Sequence, residues 1–175
     1  MLARLVAAPG ARGLELGRTR VTSVDPALAD RLARGELDLL VQWFGPAAAD
    51  RPAGYDGVEN EVRAAFAALE GAAPERVRTQ ILRPDSDAEA RLYAETLGLA
   101  PFRARRIVRD GWTDARVWSS LRTVVAGQGA SVVRALTPDL GASTQALVAA
   151  GIAEVEAPRR PRIALSAPSG HTQQR

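Results

Sequence analysis

The sequence predicts a layered α/β domain: a mixed or mostly parallel sheet flanked by helices. Three observations carry this expectation. Short runs rich in β-branched residues alternate with Ala-rich stretches of helical periodicity. Three Asp/Pro pairs (Asp25-Pro26, Pro84-Asp85 and Pro138-Asp139) follow strand-like runs. The Ala-rich stretch after each closes on Gly35, Gly98 or Gly151, as βα units do. Finally, 46% of residues are hydrophobic but only 5% aromatic, so the core must be built from Ala, Val, Leu and Ile.

The elements follow in order. Residues 3–7 read as a first strand and 18–24 as a second, since Val21, Thr22 and Val24 favour pleated backbone. Asp25 as N-cap and Pro26 at the first helical position open a helix over 27–34, which Gly35 ends. Residues 37–44 are apolar except at Asp38 and Gln42 and read as a buried strand; a continued helix is the alternative that Gly35 opposes. The stretch 45–57, rich in Pro, Gly and Ala, is a loop or lid. Val58, Val62, Ala65, Phe66 and Leu69 then share one helical face over 58–69.

Beyond them, 77–82 is a strand, 88–97 a helix stopped by Gly98, and 102–108 an Arg-dense strand leading to the turn Asp110-Gly111. Residues 113–125 place Val117, Trp118, Leu121, Val124 and Val125 in a helical pattern, although their β-branched end leaves a strand open. A strand over 131–136, a helix over 141–150 and short strands over 153–157 and 162–165 complete the expectation. One domain then spans 1–165, with a tail over 166–175.

Composition removes much chemistry. All 23 basic residues are Arg, which excludes Schiff-base and Walker-lysine mechanisms. With no Cys there is neither a thiolate nucleophile nor a thiolate metal site. The single His, His171, stands four residues from the C-terminus, so a Ser-His-Asp triad and a His-ligated metal are not expected. No apolar run approaches the roughly 18 residues of a membrane span. A cytoplasmic protein without membrane contact is the expectation.

Charge is uneven: residues 1–75 carry 8 Arg against 11 acids, and residues 76–175 carry 15 Arg against 9. Arg103, Arg105, Arg106 and Arg109 form the densest basic stretch. On a strand, Arg103, Arg105 and Arg109 share one parity and Arg106 takes the other. Such a set would bind an anion or an acidic partner; the same residues would also keep an exposed edge strand soluble. Nucleic acid finds no recognised motif here and almost no interleaved aromatic surface. Arg159-Arg160-Pro161-Arg162 is a second basic turn, and Gly127-Gln128-Gly129 reads as a turn. Trp43, Phe44, Trp112 and Trp118 read as core or interface anchors. Glu95 and Asp114 are the carboxylates to test for a general base. With no convergent catalytic groups, the sequence points to a non-catalytic binding or assembly protein. Its Arg-rich C-terminal half would contact an acidic protein partner, or the chain would self-associate, and it needs no cofactor.

Two resemblances stand beside this. Ala94-Glu95-Thr96-Leu97-Gly98-Leu99, the strand from Phe102 and the run Gly111-Trp112-Thr113-Asp114-Ala115-Arg116-Val117-Trp118-Ser119-Ser120-Leu121-Arg122 resemble the C-terminal half of the GNAT acyltransferase superfamily, ribosomal-protein N-acetyltransferase type, over residues 76–125. The resemblance implies an acyl-CoA-dependent N-acyltransferase with acetyl-CoA as cosubstrate. That family holds the pyrophosphate on backbone amides at a helix N-terminus. The nearest match is Arg51-Pro52-Ala53-Gly54-Tyr55-Asp56, so Arg51 and Gly54 become cofactor-binding candidates, with Asp56 departing from the pattern. Residues 29–46, with Gly35-Glu36-Leu37-Asp38-Leu39, are similar to a helix–strand unit of LysR-type and periplasmic-type substrate-binding domains.

Overall fold

The computed structural model describes residues 24–52, 54–108, 111–140 and 142–157. The expected strands over 3–7, most of 18–24 and 162–165, the Arg159–Arg162 turn, His171 and the tail lie outside them. So do Arg109 and Asp110.

The chain forms α1 (Pro26–Ala33), β1 (Leu39–Phe44), α2 (Tyr55–Ala72), β2 (Val77–Leu82), α3 (Ala88–Thr96), β3 (Phe102–Val108), β4 (Gly111–Val117), β5 (Ser120–Val125), β6 (Ser131–Ala135) and α4 (Thr144–Glu156), with one 3-10 turn at Ala48–Asp50. Strands β2-β1-β5-β6 make a four-stranded mixed sheet, and β3 and β4 make a separate two-stranded ribbon. Among the described strands of this sheet only β1 and β2 run parallel, joined through α2; β1–β5 and β5–β6 are antiparallel. The sheet is therefore mixed and not mostly parallel.

Local chemistry sets the helix ends. The Asp25 carboxylate accepts from the amides of Ala27 and Leu28, and Asp87 does the same for Glu89 and Ala90 at α3. Helix α4 has two supports. The Ser143 hydroxyl accepts from Ala146 N–H, and Glu61, reaching across from α2, accepts from Thr144 N–H at 2.7 Å. A carboxylate there also meets the positive end of the helix dipole.

One face of the sheet carries the main core. Leu39, Val41 and Trp43 of β1 and Leu121 and Val125 of β5 pack against Leu28 and Leu32 of α1, Val58, Val62, Phe66 and Leu69 of α2, and Val148 and Ile152 of α4. Among the described residues the opposite face is covered at one end, where Phe44 and Trp118 meet Ala94, Tyr93 and Leu97 from α3 and its end.

Several sequence expectations change. Residues 113–125 are not helical: β4 ends at Val117, and β5 begins at Ser120. The spacing that imitated a helix is a buried/half-buried alternation in β5, where Leu121, Thr123 and Val125 point inward. Between the strands, Ser119 C=O accepts from Leu136 N–H at 2.9 Å, so the chain passes from the ribbon into the main sheet with its backbone paired. Residues 153–157 belong to the end of α4 and its cap, where Ala157 N–H reaches Ala153 C=O, and not to a strand. Gly151 does not end α4. It sits inside the helix, buried, where a β-carbon would come 3.1 Å from Thr123, so glycine lets α4 approach β5. The loop at 45–57 is shorter than expected, because α2 starts at Tyr55.

Candidate functional site

Two groups of arginines dominate the polar structure, and they differ in what faces them.

The first surrounds Glu59 of α2, which is 6% exposed. Its carboxylate takes ion pairs from Arg51, from Arg63 at 2.7 Å and from Arg83 at 2.7 Å. Arg83 also donates to Pro46 C=O at 2.8 Å, and its guanidinium lies 5.0 Å from the centre of the Trp43 ring. Burial alone would push the Glu59 carboxyl up. The Arg63 hydrogen bonds and the charges of Arg83 and Arg51 outweigh it and hold the group below the usual carboxylate value. Burial lowers Arg83, against the pull of Glu59. This knot ties α2, the 45–54 segment and the end of β2 together. Trp43 fixes the backbone beneath it: a β-carbon at Gly45 would fall 2.5 Å from the Trp43 ring.

Arg51 and Gly54 therefore stand in a defined setting. Gly54 caps α2 with φ +87°, a conformation glycine adopts without strain. Arg51, however, is spent on Asp56 and Glu59. A diphosphate at the start of α2 would meet the exposed Asp56 carboxylate and compete with Glu59 for the same guanidinium, so these residues do not fit the pyrophosphate of acyl-CoA. Tyr55, beside them, is 3% exposed. Burial, with a smaller contribution from Asp139, pushes its phenol up to about 12, far from the range of a proton carrier at neutral pH.

The second group lies on the β3–β4 ribbon. In the ribbon register Arg103 stands opposite Arg116, Arg105 opposite Asp114, and Arg106 opposite Thr113. Phe102, Ala104 and Ala115 pack inward on the main core, and Phe102 meets the Tyr55 ring at 6.4 Å. The alternate residues Arg103, Arg105, Asp114 and Arg116 are all exposed. Arg106 has the other parity, as the sequence implied. The outward face thus carries two arginines directly across from each other, where like charges repel. Neither Arg103 nor Arg116 has an ion pair among the described residues, and Arg105 faces Asp114. Glu95 is exposed on α3, and Asp114 is exposed on β4. No group of three or more potential metal ligands forms among the described residues. None of the described helices is long and apolar enough to cross a membrane.

Comparison with known proteins returns nothing: no family model fits the chain, and neither a curated protein nor a solved structure matches it.

Sequence reasoning did not bring Glu59 and Arg83 together as one site, and it passed over Arg116. The Glu59/Arg63 pair was legible as an i,i+4 contact. Arg83 comes from another element, and Arg116 became a partner of Arg103 only once 111–117 proved to be a strand.

A third polar group lies on the partly covered face of the sheet. Arg122 of β5 donates to Gln42 Oε1 at 2.7 Å, to the Tyr93 hydroxyl at 2.9 Å and to Ser131 Oγ at 3.2 Å. Gln42, buried, donates in turn to Gln80 Oε1 at 2.7 Å. At the free edge of β2, a shallow groove is closed off by Glu70, which accepts from both the amide and the hydroxyl of Thr79.

Proposed function

We propose that this chain is a non-catalytic binding or assembly protein whose β3–β4 ribbon engages an acidic segment of a protein partner. The observation that supports this most is the Arg103–Arg116 pair. Strands β3 and β4 carry Arg103, Arg105, Arg106 and Arg116 against Asp114 alone, a balance of +3. The ribbon buries its apolar face on the core and turns Arg103, Arg105 and Arg116 outward, so a carboxylate-bearing partner would relieve the repulsion that the fold leaves in place. Guanidinium forks pair with carboxylates bidentately, which gives such a contact geometry as well as charge. Titration with a Glu-rich peptide at low salt tests the reading. The unaltered chain should bind it, and Arg103→Glu/Arg116→Glu should not. Equal affinity of the two proteins would end the proposal.

A second reading, the acyl-CoA-dependent N-acyltransferase, has one observation on its side: Gly54, in a left-handed conformation, opens the long helix that follows β1. Asp56 and the engagement of Arg51 stand against it. Thermal unfolding in acetyl-CoA separates the two. A ligand at a hundred times its Kd adds about 2.7 kcal/mol, and an unchanged melting temperature at millimolar acetyl-CoA removes this reading.

A further inference from the structure

Among the described residues, the sheet face opposite the main core is only half covered. Helix α3 lies over the row formed by Leu82, Phe44 and Ser120, and Tyr93 reaches into the next row, Gln80–Gln42–Arg122–Val133. The row beyond that, Arg78–Leu40–Val124–Ser131, has no helix above it among the described residues. These two rows expose an apolar strip, with Leu40 and Val124 half-buried and Val133 41% exposed, between Arg78 and Arg122. Arg78 makes no ion pair among the described residues, and the hydrogen-bond partners of Arg122 are the uncharged Gln42, Tyr93 and Ser131.

The outward side of α3 offers the complement. Its inward side is Ala90, Tyr93 and Ala94. Outward it presents Leu92, 67% exposed, with Glu89 and Glu95 one turn before and after it on the same face. Neither carboxylate has a cation partner among the described residues. One apolar side chain between two acids thus stands on the same side of the molecule as an apolar strip between two arginines.

We infer that the chain forms a symmetric dimer in which the α3 helix of each copy covers the open sheet rows of the other. Two copies placed face to face would hold both α3 helices, side by side, between their sheets. Each helix would press Ala90 and Ala94 on its own sheet and Leu92 on the other, with Glu89 and Glu95 against Arg78 and Arg122. Such an interface is isologous, so each contact occurs twice. The stretches on either side of the described residues are basic. Residues 1–23 hold four Arg and one Glu, and residues 158–175 four Arg and no acid. Charge therefore favours a second copy over the termini as the occupant. The ribbon arginines of the proposed function take no part in this contact, so the two ideas fail separately.

Charge exchange tests it. The full-length chain should show a mass in sedimentation equilibrium near twice its 18.6 kDa. Both Glu89→Arg/Glu95→Arg and Arg78→Glu alter exposed positions and should keep the unaltered far-ultraviolet circular dichroism. Each alone should dimerise roughly a hundredfold more weakly, because like charges then meet twice across the interface. Mixed in equal amounts, the two variants should form a dimer tighter than either makes alone, since one half of the mixed interface keeps the original pairing and in the other the carboxylate introduced at position 78 meets arginine, leaving Arg122 as the one like-charged contact. Leu92→Ser, which changes no charge, should also weaken association. A monomer at every concentration of the unaltered chain would overturn the inference, as would variants that associate like it or a mixture that stays monomeric.

Discussion

The arginines around Glu59 and the arginines of the β3–β4 ribbon are the same side chain in two electrostatic settings. Around Glu59, three guanidiniums converge on one buried carboxylate, and a carbonyl and an indole face take up more of Arg83. On the ribbon, Arg103 and Arg116 face each other with no acid between them. The first group spends its charge inside the protein, and the second leaves its charge exposed on the surface. The difference teaches that density of Arg along the chain says little about role. The deciding quantity is how many carboxylates the fold brings within reach.

The comparison can be broken first at Glu59. Glu59→Gln leaves three guanidiniums around a neutral amide in a buried site, and loss of one partner of a buried ion pair costs about 3 kcal/mol or more. Chemical denaturation should show a lower midpoint with an unchanged slope. The same carboxyl sets a pH dependence. Its folded value lies below the ordinary one, so its contribution is complete above the ordinary carboxylate value. It declines as pH falls past that value and is lost once pH passes the folded one. Thermal unfolding across the acid range should show this decline, and Glu59→Gln should flatten it.

Next in size is Gly45→Ala. The added carbon must displace the fully buried Trp43 ring on which Arg83 rests, and overpacking of this kind costs about 1–3 kcal/mol. Smallest is the ribbon. Arg103→Ala with Arg116→Ala should change stability by less than about 0.5 kcal/mol, because the substitution removes a repulsion from the surface and no buried contact. A large loss there would mean that these arginines hold the fold together.

Much of the architecture was legible in local chemistry. The Asp25 cap and the turn at Gly35 marked α1, and the continuous apolar run marked β1. The ends of β2 and β3 fell where the β-branched and Arg-dense runs placed them. Residues 111–125 were not legible, because a helix and a pair of strands both satisfy Val117, Leu121 and Val124. The choice was made by pairing, of β5 with β1, which is distant in sequence, and of β4 and β5 with their neighbours β3 and β6. The candidate site followed the same divide. Arg103 and Arg105 stood out as a cluster, but their significance depends on Arg116 opposite, which only the strand register supplies. The Glu59 knot was hidden for the same reason: Arg51, Arg63 and Arg83 come from a loop, a helix and the end of a strand.

The most direct test compares affinities for one oligoglutamate peptide, measured by calorimetry at low salt for the unaltered chain, for Arg103→Ala/Arg116→Ala and for Arg63→Ala. If uncompensated charge marks the binding face, the ribbon variant loses the peptide and Arg63→Ala keeps it. Equal binding by all three proteins, or loss through Arg63 alone, would contradict the account.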